Sequence, residues 1–195
     1  MNPVKDFFDT LAPKWDERAT DDLEYVRSLL SRVDIPSGGN ILDLACGTGV
    51  ISGLLQRLYS AHVTGMDLSP KMIEIAKKKY AGNDGVTFVC GDFMELEGGV
   101  YDFIALYNAY PHFLEPEKLS LALSTHLTPN GGFVILHSLG RDQLRSHHEP
   151  LGPRLSRDLD APEVESRFFQ REFEVVKAEE GACFFLIHGR KRQVF

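Results

Sequence analysis

The chain has 195 residues, 43% of them apolar and 25% charged, and a formal net charge of −7. That length suits one domain with a core of ordinary size, and the composition excludes a disordered or fibrous chain. The acidic balance offers no field for a polyanion, so a nucleic-acid substrate is not expected.

Residues 2–34 precede the first β-like run and read as helical. They contain no apolar leader, and no apolar run in the chain is long enough to span a bilayer, which predicts a cytoplasmic protein with no membrane attachment. NILDLA (40–45), AHVTGMD (61–67), VTFVC (86–90), YDFIALY (101–107) and GFVILHS (132–138) read as five buried strands. Helical stretches alternate with them, one opening at Ser69-Pro70 and another at Pro116 and closing at the turn Thr128–Gly132. His126, at the end of the second of these, reads as a core-edge residue. Residues 138–162 are polar and proline-rich after a short possible helix, a length at which connections usually carry function. Residues 172–178 and 182–190 read as a late hairpin around Glu179–Gly181. The expected fold is α/β, a Rossmann-like, doubly wound, seven-stranded and mostly parallel sheet with an antiparallel last strand and helices on both faces. It forms one domain over residues 1–195, with 2–34 as a helical cover and 138–162 as a lid on the acceptor side.

Ligands of open α/β sheets sit beyond the carboxyl ends of the strands, and the first strand here runs into Gly47-Thr48-Gly49. A phosphate would be repelled by Asp43, four residues ahead of Gly47. Asp67 ends the second strand and Asp92 follows the third, so three strand ends present three carboxylates along one edge. Asp67 can accept two ribose hydroxyls, Asp43 suits a ligand end bearing ammonium and sulfonium, and Asp92 suits the N6 amine of adenine. Cys46, Cys90 and Cys183 have no paired spacing, and no metal site is expected.

These motifs in order, ILDLACGTG, VTGMDLSPKMIEIAKKK and FVCGDF, resemble the class I S-adenosylmethionine-dependent methyltransferases over residues 40–137. The resemblance implies S-adenosyl-L-methionine as cofactor and a small-molecule acceptor. It further implies that Asp43, Ala45, Gly47 and Gly49 line the methionine and ribose portion, that Asp67 holds the ribose diol, and that Leu68 and Met72 pack near the adenine. Asp92 and Phe93 would grip the adenine edge. FFDTLAPKWDE is similar to the lead-in of quinone-type C-methyltransferases, which implies Trp15 or Phe8 as an aromatic over the cofactor.

Tyr107-Asn108-Ala109-Tyr110-Pro111-His112 follows the fourth strand, where this fold brings the acceptor to the methyl group. It departs at Ala109 from the Asn-Pro-Pro-Tyr signature of amine methyltransferases. Asn108, Tyr110 and His112 are therefore candidate catalytic residues, together with His137 at the end of the fifth strand; Tyr107 is placed against both cofactor and acceptor. His147 and His148 follow in the lid. Two other readings remain open, a non-enzymatic S-adenosylmethionine-binding module and a nicotinamide-dependent oxidoreductase. Oligomeric state is not legible.

Overall fold

The predicted strands assemble in a computed structural model that describes residues 2–18 and 22–193. Residues 19–21 of the expected cover lie outside the described residues. Seven strands form one sheet, β1 (Asn40–Leu44), β2 (His62–Asp67), β3 (Val86–Cys90), β4 (Tyr101–Tyr107), β5 (Leu127–His137), β6 (Phe173–Gly181) and β7 (Phe184–Lys191), in the order β3-β2-β1-β4-β5-β7-β6. β1 to β5 pair in parallel, and β7 is antiparallel to both β5 and β6, so a single strand is reversed. The order reverses at β1, whose neighbours are β2 and β4, and that is where a doubly wound sheet opens a crevice.

Central strands are apolar on both sides because helices cover both faces. On one face Ile41, Val63, Ala105 and Val134 pack with α3 (Leu23–Leu30), α4 (Ser52–Tyr59) and α5 (Pro70–Lys79). On the other, Leu42, Ile104, Ile135 and Ile187 pack with α6 (Pro116–Thr125) and α7 (Arg141–His148). The start signal read at Ser69 is real, since its side chain accepts the Met72 N–H and Pro70 occupies the first turn. His126 is buried and joins the Gly99 carbonyl through Nδ1.

β5 begins earlier than predicted. Leu127 pairs with Tyr101, the register then shifts, and Gly132 pairs with Phe103, so Thr128–Gly132 is an irregular stretch within the strand rather than a turn. Such a shift accommodates Pro129, which has no N–H for a regular ladder. The hairpin loop is also tighter than predicted: Gly181 pairs with Phe184, leaving only Ala182 and Cys183 between the strands.

Two tethers matter for the site. The N-terminal helices α1 (Pro3–Leu11) and α2 (Trp15–Arg18) dock by side chains: Ser69 Oγ donates to Asp9 (2.6 Å), Thr48 Oγ1 to Asp16 (2.6 Å), and Lys79 pairs with Asp16 at 2.8 Å. Burial works against the Asp16 carboxylate, but the bonds from Lys79 and Thr48 outweigh it and hold its pKa below the usual range. The second tether is buried. Arg157 makes two bonds to Glu165, at 2.9 and 2.7 Å; Tyr110 donates to Glu165 at 2.8 Å, and the Asp160 N–H to the same carboxylate at 2.9 Å. The guanidinium lies 4.5 Å from the Tyr110 ring centroid.

Candidate active site

At the switch point, a cavity of about 860 Å³ opens beyond the carboxyl ends of β1, β2 and β4, within the size range of small-molecule sites. Asp43, Asp67 and Asp92 all line it, together with Leu68, Met72 and Phe93. Each carboxylate is fixed by its own neighbours. Ser52 donates to Asp43 at 2.5 Å, the Gly47 and Ser69 N–H groups donate to the two oxygens of Asp67 at 2.8 Å each, and Asp92 caps the following turn through the Met94 N–H. Burial pushes the Asp43 carboxyl up to about 7, against the Ser52 bond and with the Asp67 charge adding to the rise. Burial likewise raises Asp67 above its ordinary value, although the backbone N–H groups of Ser69, Gly47 and Leu68 oppose it.

The glycine loop bends through left-handed backbone at Ala45 (φ 57°), Gly47 (φ 55°) and Gly49 (φ 79°). A residue with a Cβ pays for that conformation, so strain at Ala45 beside a ligand cavity marks a site held by its surroundings. Ala45 and Gly47 line the cavity. A Cβ added at Gly47 would lie 3.6 Å from Trp15 Nε1, so the indole packs close over this part of the loop. Gly49 departs from the expectation: it is not among the lining residues. A Cβ there would meet Phe88 and Tyr80 at 2.9 Å, so this glycine serves packing.

Trp15 and Phe8 both line the cavity from the cover. They begin a run of edge-to-face rings: Trp15 to Phe8 at 5.7 Å, Phe8 to His112 at 5.0 Å, and His112 to His148 at 5.1 Å. This run joins the N-terminal cover to the turn after β4 and to α7. Tyr107 and Asn108 also line the cavity and are tied to Ser138, whose hydroxyl accepts from Tyr107 (2.9 Å) and Asn108 (3.1 Å) while its N–H donates to Asn108 Oδ1. Asn108 has φ 53°, a second strained residue at the rim.

Two candidates do not fit a catalytic role. His137 is fully buried, outside the cavity lining, and neither ring nitrogen has a hydrogen-bond partner among the described residues. Burial pushes its pKa down to about 3, with His148 and His112 adding to the fall, so the ring stays neutral. The alternation was read correctly, but the rim lies one residue further on, at Ser138. Paired with Phe185 of β7, His137 is still inside the sheet. Tyr110 is also fully buried, its hydroxyl given to Glu165 and its acidity suppressed by burial.

Sequence reasoning missed Ser138 and the apolar wall formed by Phe7, Leu11, Phe113, Leu139, Leu144 and Leu151. The apolar stripe of α1 was a usable signal; the contributions after β4 and β5 depend on tertiary placement. The expected lid also divides. Ser138, Leu139, Leu144, His147, His148 and Leu151 line the cavity, whereas Arg157 onward is pinned by the buried network.

Comparison with known proteins bears on this geometry. Residues 41–131 match the methyltransferase domain family. Demethylmenaquinone methyltransferase of Clavibacter sepedonicus is 36% identical over 101 residues, covering 51% of this chain and 41% of that protein. A malonyl-[acyl-carrier protein] O-methyltransferase of Anoxybacillus flavithermus is 31% identical over 144 residues, covering 73% and 53%. The chain thus spans about half the length of the curated relatives it matches. Among solved structures, the putative methyltransferase in complex with the Haloferax volcanii Trm112 activator superimposes with a TM-score of 0.80 at 17% identity, covering 95% of this chain and 98% of that one. The [4+2]-cyclase SpnF does so with a TM-score of 0.78 at 16% identity, covering 99% and 96%. At these identities the superpositions speak for the fold alone.

Proposed function

Because residues 41–131 match the methyltransferase domain family and the relatives compared above are named as methyltransferases, we propose that this chain is a class I S-adenosylmethionine-dependent methyltransferase that transfers a methyl group from S-adenosyl-L-methionine to a small-molecule acceptor. The observation that carries this reading is the convergence of Asp43, Asp67 and Asp92 on one cavity beneath an aromatic cover.

The residues present fit the cofactor. Each Asp67 oxygen accepts one backbone N–H and keeps a further lone pair for a ribose hydroxyl. Asp43 offers a carboxylate to a cationic ligand end, and Asp92 one to the adenine amine. Leu68, Met72 and Phe93 supply apolar contact, and Trp15 lines the same cavity beside Gly47. Bound S-adenosylmethionine supplies a methyl group on a sulfonium, already an excellent leaving group. The task left to the chain is to align an acceptor with that methyl, and orientation of this kind is worth roughly 7–11 kcal/mol of barrier. His112, Asn108, Tyr107 and Ser138 sit at the cavity wall from which an acceptor would be aligned.

The reading predicts that S-adenosylhomocysteine binds and NAD does not. Asp67→Ala should weaken S-adenosylhomocysteine by about tenfold to a hundredfold, the loss of a charge-assisted hydrogen-bonding pair. Melting is measured beside the calorimetry, because the same substitution strands the Gly47 and Ser69 N–H groups; unchanged affinity rejects the assignment. A second reading is cofactor binding without methyl transfer, since one fold hosts more than one chemistry. Transfer of label from methyl-tritiated S-adenosylmethionine to a small molecule decides between them.

We also assign residues 2–18 and 138–151 as the cover that closes over both ligands and excludes water. Hydrogen exchange in these segments should slow on adding S-adenosylhomocysteine while Arg157–Glu165 changes little. Equal exchange with and without the ligand removes the cover from the account. The cover depends on ionised Asp9 and Asp16, whose pKa values lie below normal, so its docking is present above the ordinary carboxylate range and is lost as pH falls through their lowered values.

A further inference from the structure

The charge on the cavity lining is one-sided. Five carboxylates line the whole cavity, the three at the strand ends together with Asp22 and Glu115, and no lysine or arginine is among its described lining residues. Away from the strand ends the wall is apolar and aromatic, with Phe8, Phe113, Leu144 and Leu151 among its members. Its polar groups there include the paired imidazoles of His112 and His148.

Both imidazoles are oriented by the backbone. Carbonyl oxygens only accept, so Nδ1 of His112 donates to Leu155 (2.7 Å) and Nδ1 of His148 donates to Leu144 (2.8 Å). The tautomer of each neutral ring is thereby set, and Nε2 is left with a lone pair as the one polar atom each ring can offer a ligand. Burial lowers the pKa of both rings, His112 to about 4, which keeps them neutral acceptors at physiological pH.

We infer, resting on the methyl-transfer reading above, that the acceptor substrate is an uncharged, largely apolar aromatic alcohol that donates its hydroxyl to the histidine pair, and that acceptors bearing a carboxylate or phosphate are refused. An anion entering this space leaves water for a wall whose described residues include no lysine or arginine, and meets lone pairs and carboxylates instead. A hydroxyl loses little, because its proton finds Nε2 and its ring finds the aromatic run. The hydroxyl orients the acceptor, whichever of its atoms takes the methyl group.

The test uses three probes of one shape, 2-naphthol, 2-naphthoate and 2-naphthyl phosphate, titrated calorimetrically into the protein with S-adenosylhomocysteine bound. Naphthol should bind at least about tenfold tighter than either anion. His112→Phe keeps a ring but removes Nε2, and should weaken naphthol about tenfold while leaving S-adenosylhomocysteine unaffected. Leu151→Lys supplies the missing cation and should bring naphthoate to at least the affinity of naphthol, a gain that misfolding cannot imitate. Naphthoate or naphthyl phosphate binding as tightly as naphthol to the unaltered protein, or naphthol not binding at all, overturns the inference. Failure of S-adenosylhomocysteine to bind overturns the methyl-transfer reading instead.

Discussion

Glu165→Ala is expected to destabilise the fold by about 3–5 kcal/mol, the usual cost of leaving a buried charge without its partner. The carboxylate is 2% exposed and takes two bonds from Arg157, one from Tyr110 and one from the Asp160 N–H. Removing it strands a guanidinium whose side chain is only 19% exposed, as well as two further donors. Replacing both charges, as in Arg157→Met with Glu165→Leu, should recover part of the loss, because no lone buried charge then remains. Urea unfolding measures both variants; a single variant within about 1 kcal/mol of the parent would mean that the network is ornamental. The same change should reach the site, since Arg157 N–H donates to Pro111 and His112 Nδ1 to Leu155, contacts that hold the turn after β4.

A comparably large effect is expected from pH on cofactor affinity. With its pKa at about 7, Asp43 in the free protein is protonated at pH 5 and ionised at pH 8. A cationic ligand end favours the ionised form, so binding below that pKa must release the proton and should weaken by about tenfold per pH unit. Calorimetry in buffers of different ionisation heat should find close to one proton released at pH 5 and almost none at pH 8. Asp43→Asn should flatten the dependence. A flat affinity and no proton release in the unaltered protein would exclude contact between Asp43 and a cationic group. The sign for folding is the reverse of the usual carboxylate case. Between the unfolded pKa near 4 and the folded value the native state holds the extra proton, so this group's contribution to stability declines as pH rises across that window. The strand-end charge that suits the ligand is thus a burden on the empty fold, and Asp43→Asn should melt higher than the parent at pH 8.

Much of this was legible from residue order because the sheet interior obeys a simple rule. Runs such as YDFIALY are buried on both faces, and Ser69-Pro70 announces its helix chemically. The three carboxylates were legible for the same reason, since a strand end beside the switch point is a position that periodicity can count. Period-two counting places a side chain on a face, but it does not say where a strand's neighbours stop. His137 and Ser138 differ by one residue, and β7 runs alongside β5 far enough to bury the first while the second reaches the rim. Tyr110 was misread for a related cause: its fate is decided by Glu165 and Arg157, far along the chain. Glycine spacing likewise could not tell Gly47, which faces the cavity, from Gly49, which faces Tyr80 and Phe88.

The strand order has a consequence for how the protein is made. β7 lies between β5 and β6, although it leaves the ribosome after both of them. Through synthesis of residues 138–183, the nascent sheet carries β5 as an open edge, its ladder groups unpaired and Ile135 and His137 lacking their partners Ile187 and Phe185. The edge is capped only when the register from Gly132↔Arg190 to His137↔Phe185 zips shut. Pairing across that sequence separation is slow and leaves strand edges exposed to aggregation in the meantime. The β5 edge is therefore the stretch of the growing chain most open to mispairing until β7 arrives.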